Sequence, residues 1–223
     1  MKTLLLLCVA ALVASVPALA QEREWVSYNE FLKMTQLDKF YDAPPARRDK
    51  IRMRSVIDFT DKSIRPADMV FVIVRADRRE RIPVSADGQF DVPFSAAMQS
   101  ENPMVHTNIP KGAKAALGFT AYAIVPDGLT LPYATLMAGV KQGNELIKTQ
   151  AGILRMFAPK FDGVEIHFAK PAQQSLQILS KAGTKTLPVD AKGGIAVKLD
   201  EALLRENPQV VFSERPVDVE ITE

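Results

Sequence analysis

The stretch Ile82–His106, IPVSADGQFDVPFSAAMQSENPMVH, is written a second time as Leu187–Val211, LPVDAKGGIAVKLDEALLRENPQVV, 105 residues later and without a gap. Ten of its 25 positions are identical. They include Pro83/Pro188, Gly88/Gly193, Val92/Val197 and the triplets Glu101-Asn102-Pro103 and Glu206-Asn207-Pro208. Each copy reads as strand, tight turn, strand, short helix, strand. Asp87-Gly88 and Lys192-Gly193 lie between apolar runs, where glycine supplies the positive φ of a hairpin turn. Phe90, Val92 and Phe94, like Ile195, Val197 and Leu199, alternate with other residues at the period of a half-buried strand. Ser95 and Asp200 stand where a helix N-cap is needed. Pro103 and Pro208 stop each helix, and the residue before a proline is pushed out of the right-handed helical region, which predicts extended Asn102 and Asn207.

Weaker matches extend the duplication outward in the same order. VIDFTDKSIRPA (56–67) lies over EIHFAKPA (165–172), with Ile57 over Ile166 and Phe59 over Phe168, and Tyr28 lies over Tyr133. Two tandem units follow, 21–128 and 129–223, with the boundary at the turn-type stretch Pro126-Asp127-Gly128. The expected fold is mainly β, with α+β as the alternative. It consists of two sandwich-like units, each with a helix at its start and a short helix inside.

Residues 1–20 read as a secretory signal peptide: Lys2, then an apolar run over Leu4–Val13, then Ala18-Leu19-Ala20 before the cleavage point. That predicts an exported chain, most readily periplasmic, with no integral membrane segment after cleavage. The single cysteine, Cys8, lies in that leader, so the remaining chain relies on its apolar core rather than on disulfides. The formal net charge of +2 gives no global field to recruit nucleic acid.

Within the units, Ser27–Glu30 fits a capping box that opens a helix from Tyr28 to about Phe40, ended by Pro44-Pro45. Glu22 and Arg23 read as a polar tail. Met69–Val74 is a continuous apolar run and reads as a strand buried on both faces. Tyr133, Leu136, Met137, Val140, Ile147, Ala151, Leu154 and Phe157 recur close to every 3.5 residues. They predict a helix, broken at Gly139, Gly143 or Gly152, that packs between the units.

The chain carries no thiol nucleophile after the leader, no nucleophile elbow, no phosphate-binding glycine loop and no H-E-x-x-H helix. Its two histidines, His106 and His167, show neither a close pair nor a local carboxylate arrangement, so neither a metal nor a cofactor is expected. Residues kept in both copies belong to the shared framework. The polar pairs Glu101, Asn102, Glu206 and Asn207 are therefore read as structural or inter-unit groups. Function is expected where the copies differ: in the basic run with Arg47, Arg48 and Arg52, in the loop with Arg75, Arg78, Arg79 and Arg81, and at His106 with Asn108. The run 47–54 is read as a solvated loop and strand edge, and the run 75–81 as a charged hairpin loop. These residues point to a non-catalytic binding or adaptor protein of the bacterial cell envelope, with an envelope protein or a small ligand as partner. The alternatives are a carboxylate-based envelope hydrolase or carbohydrate-handling enzyme, and a small-ligand carrier with its pocket between the units.

Overall fold

The alternating runs and turn glycines of the two copies set the chain into fourteen strands and six helices among the described residues. The computed structural model describes residues 21–150, 160–170 and 173–223. The expected signal peptide and the end of the expected long helix, 151–159, lie outside them. The first half holds β1 (Arg23–Ser27), α1 (Tyr28–Met34), α2 (Leu37–Asp42), β2 (Ile51–Phe59), β3 (Val70–Val74), β4 (Arg79–Pro83), β5 (Gln89–Phe90), α3 (Ala96–Glu101), β6 (Met104–Thr107) and β7 (Ala115–Ala123). The second holds β8 (Thr130–Pro132), α4 (Tyr133–Leu136), α5 (Ala138–Gln150), β9 (Gly163–His167), β10 (Ser175–Ser180), β11 (Gly183–Pro188), β12 (Gly194–Lys198), α6 (Glu201–Glu206), β13 (Gln209–Phe212) and β14 (Asp218–Thr222). Among the described residues, no helix is long and apolar enough to cross a membrane.

The strands form three antiparallel sheets. Two have four strands, in the orders β1-β6-β3-β4 and β8-β13-β10-β11. The third has six, in the order β12-β9-β14-β7-β2-β5. That third sheet draws half its strands from each half of the chain, and β7 against β14 is the seam. The fold is mainly β, as the sequence predicts. One apolar core, with Phe31, Phe71, Phe90 and Val105, lies within the first half. The other, with Tyr133, Val140, Val164 and Phe212, also takes in Phe40, Ile51, Ala121 and Ala123 from the first. Helix α5 makes that crossing close. A Cβ on Gly139 would stand 2.9 Å from the Ala123 methyl and 3.0 Å from the Lys50 carbonyl oxygen. Gln142 accepts from the Lys50 amide at 2.8 Å and donates to Asp49 at 2.7 Å.

Several expectations change. The glycine turns exist, with Gly88 at φ +82° and Gly193 at φ +90°, but they are not hairpins. Each carries the chain from a four-stranded sheet to the six-stranded one, β4 to β5 and β11 to β12. Gly88 is needed for a second reason: a Cβ there would collide with the Ile57 carbonyl oxygen. The expected single helix after Ser27 is two, because Gln36 takes a left-handed φ of 58° between them. Ser27 does cap the first, accepting from the Glu30 amide at 3.4 Å. The expected polar tail is partly strand: Arg23–Ser27 pairs with β6. The second-half helix breaks at Met137 and then runs through Gly139 and Gly143, while Gly152 lies outside the described residues.

Asn102 and Asn207 are not extended. Both sit in the left-handed region, at φ 48° and 52°, as C-caps of α3 and α6. A following proline disfavours the right-handed helix but leaves asparagine this exit. The hydrogen-bond register also refines the outer alignment. Ser55 faces Phe90 across β2–β5, while Ile166 faces Ile195 across β9–β12, so Ser55 rather than Ile57 holds the station of Ile166.

Candidate functional site at the sheet seam

Strand alternation puts every second residue of the six-stranded sheet on its outward face. On β2, the inward set Ile51, Ser55, Ile57 and Phe59 is buried, which leaves Arg52, Arg54 and Val56 outward. On β14 and β9, Val219, Ile221, Val164 and Ile166 are buried, which leaves Asp218, Glu220, Glu165 and His167 outward. Arg52 lies on β2 opposite Tyr122 of β7, with its guanidinium 5.4 Å from the centre of that ring; on its other side β2 pairs with β5 only at Ser55 and Val56, so Arg52 stands on the strand-edge stretch that the sequence predicts.

Crossing the seam, Tyr122 stands opposite Glu220, Glu220 opposite Glu165, and Asp218 opposite His167. His167 Nδ1 lies 2.7 Å from Asp218 Oδ1, and His167 Nε2 lies 3.6 Å from Glu165. The hydrogen bond to Asp218 holds the imidazole above its ordinary value, against the opposing effect of burial. Burial pushes the Glu220 carboxyl up; Glu165 and Asp218 push it further, and His167 draws it back. The matching places in the first half, by register, are Val56–Gly118 for His167–Asp218 and Arg54–Thr120 for Glu165–Glu220. This is a place where the copies differ. The expectation that His167 lacks a carboxylate arrangement is corrected: Glu165 lies two residues away on its own strand, and the closer partner, Asp218, comes from a strand 51 residues on that only the register reveals. Among the described residues, no group of three or more such side chains could hold a metal ion.

Beside this cluster, at the same seam, lies a pocket of about 360 Å³. The segment Tyr122–Gly128 forms one wall, Phe212 and Arg215–Val219 the other, and Arg52 closes one end. Its rim exposes apolar surface: Val217 is 64% and Ile124 49% exposed, and neighbouring Leu129 is 48% exposed. Arg215 is ion-paired with Asp127.

The other sequence candidates are dispersed. Arg75 makes a two-pronged contact with Glu101, at 2.7 and 2.6 Å, and Arg79 is paired with Glu22. His106 Nδ1 is 3.2 Å from the same Glu22 carboxylate. Arg48 donates to the Ala43 carbonyl at 3.0 Å and lies over the Phe40 and Tyr41 rings. Arg47, Arg78 and Arg81 are exposed, and Arg81 lies on β4, an edge strand where charge discourages pairing with another chain. Asn108 is buried, accepting from the Val70 amide at 2.8 Å and donating to the Asp68 carbonyl at 2.7 Å. The run 75–81 does form a hairpin between β3 and β4.

The Glu-Asn-Pro triplets join elements inside each half. Asn102 Oδ1 accepts from the Asn29 amide at 2.8 Å, and Asn207 Oδ1 from the Ala134 amide at 2.9 Å. Pro103 and Pro208 accept from the Tyr28 and Tyr133 amides. Glu206 accepts from the Lys181 amide. A model for a protein family of unknown function, DUF2987, matches residues 54–168, more than half of the 223. The chain belongs to the DUF2987 family. The DUF2987 match runs from β2 to the end of β9 and so contains one wall of the seam pocket together with Glu165 and His167. No curated protein and no solved structure matches the chain.

Proposed function

We propose that this chain is a non-catalytic binding protein of the bacterial cell envelope whose ligand sits in the pocket at the seam. The observation that carries the reading is that pocket: about 360 Å³, between the two halves, with apolar side chains exposed around its mouth. Small-molecule sites of this size are concave, mostly apolar and provided with a few placed polar groups. The arginine loops weigh less as the docking surface, because Arg75 and Arg79 already have carboxylate partners within the chain. The envelope location rests on the leader-like residues 1–20. The test is a thermal-shift screen of envelope metabolites on residues 21–223, repeated on Val217→Asp and Ile124→Asp. Both side chains are exposed, so the variants should fold. A ligand that raises the midpoint of the parent and not of the variants supports the reading. Ligands whose shifts all survive both changes refute it.

A second reading, a carboxylate-based envelope hydrolase, is favoured by one observation: Glu165 and Glu220 are directly opposed on neighbouring strands, and the Glu220 carboxyl is held up. Release of reducing ends from peptidoglycan that is lost in Glu165→Gln and Glu220→Gln would establish it.

A further inference from the structure

We propose that the seam pocket takes a single-chain amphiphilic anion, with its headgroup on Arg52 and its apolar chain along Ile124, Phe212 and Val217. This rests on the pocket reading above and adds the chemistry of the ligand. Of the four charged side chains that line the pocket, three have a close polar partner among the described residues. Arg215 is paired with Asp127, and Asp218 with His167. Arg52 has no carboxylate partner among the described residues, whereas its neighbour Arg54 is paired with Asp91. Lying 5.4 Å from the centre of the Tyr122 ring, the guanidinium has no hydrogen-bond acceptor among the described residues, and its fork of N–H donors matches a carboxylate or a phosphate.

Apolar side chains share the rest of the pocket with its paired charges. Val217 and Ile124 are left in water, while Phe212 behind them is almost fully buried. Exposed apolar surface gathered at one concavity marks a binding site rather than the scattered exposure of an ordinary surface. The volume lies at the small end of ligand pockets, which fits one acyl chain rather than a two-chain lipid.

Titration calorimetry with decanoate, decanol and decyltrimethylammonium, each below micelle-forming concentration, tests this on residues 21–223. Decanoate is expected to bind one to one, and shortening it to octanoate should weaken binding by about tenfold, the worth of two buried CH₂ groups. Arg52→Gln should weaken decanoate at least tenfold and leave decanol unchanged. Val217→Asp should weaken both. Unliganded melting midpoints close to the parent show that the variants are folded. Decanoate binding untouched by Arg52→Gln, or equal binding of the ammonium amphiphile, overturns the anion assignment. If decanol then still binds in a way that Val217→Asp abolishes, the pocket reading survives without it. If no amphiphile binds and native mass spectrometry of protein taken from the envelope shows no small molecule, both fall.

Discussion

Glu220 of β14 stands directly across from Tyr122 of β7, and theirs is the one registered pair between these strands among the described residues. The Tyr122 hydroxyl is already occupied with the Gln89 side chain, at 2.7 and 3.0 Å. Glu220 is thus half-buried beside two other carboxylates, with His167 drawing its carboxyl back down, and that carboxyl is held up by burial first of all. The folded chain therefore keeps the Glu220 proton more tightly than the unfolded chain does. Its ionisation costs stability as pH rises from the ordinary glutamate range through the higher folded value. Glu220→Gln should raise the melting midpoint at pH 7.5 by about 2–4 °C and change it little at pH 4, where both chains are uncharged at this position. An equal gain at both pH values would refute the electrostatic cause.

The His167–Asp218 pair predicts the opposite slope. The imidazole is held above its ordinary value by Asp218, so the stability it contributes is complete below that ordinary value and is lost as pH rises through the folded one. Asp218→Asn removes the largest cause and leaves burial, which lowers the value, against the smaller raising effects of Glu165 and Glu220. NMR titration should show the His167 midpoint falling in Asp218→Asn, with His106→Gln identifying the other of the two imidazoles. An unmoved midpoint would mean that the 2.7 Å contact does not control the proton.

Asn102 combines two roles, a left-handed φ and a bond from its side chain to the start of α1. Asn102→Ala should cost about 1–3 kcal/mol in urea unfolding, from backbone strain and the lost bond together. Asn102→Gly keeps the φ at no strain and loses only the bond, so it should recover part of that cost. Asn207 should behave alike toward Ala134. Equal losses for alanine and glycine would remove the strain contribution.

Ser55 is fully buried, and its hydroxyl has no hydrogen-bond partner among the described residues. It holds the station that Ile166 fills in the other half. Ser55→Ala should be neutral or stabilising by about 1 kcal/mol, because it removes a desolvated polar group without enlarging the side chain. A clear drop in the urea midpoint with an unchanged slope would show that the hydroxyl is satisfied after all.

Local signals in the sequence carried most of the strands and both internal caps. Ser95 accepts from the Met98 amide at 3.1 Å and Asp200 from Ala202 at 2.7 Å, as their positions before AAMQ and EALLR predict. The apolar run at Met69–Val74 became an inner strand for the same reason. What escaped was set by pairing. A glycine turn looks the same whether its flanking strands pair with each other or enter different sheets, so the sequence at Gly88 and Gly193 does not separate a hairpin from a crossing between sheets. A rule against the right-handed helix before proline does not choose between extended and left-handed, so it leaves the φ of Asn102 and Asn207 open. Likewise, Asp218 and Tyr122 join His167 and Glu220 only through strand register. Comparing the copies would have flagged His167 as a site of difference, but could not have supplied its partner.

The seam also sets an order of assembly. β14 follows in sequence every strand that it touches, yet it lies in the middle of the six-stranded sheet, between β9 and β7. As the chain is made from its N-terminus, β7 must wait as a bare edge until residues 218–222 emerge, and β9 waits beside it. Bare edges recruit strands from other molecules. The interval between completion of the first half and arrival of β14 is therefore when this chain is most exposed to pairing with a second copy of itself.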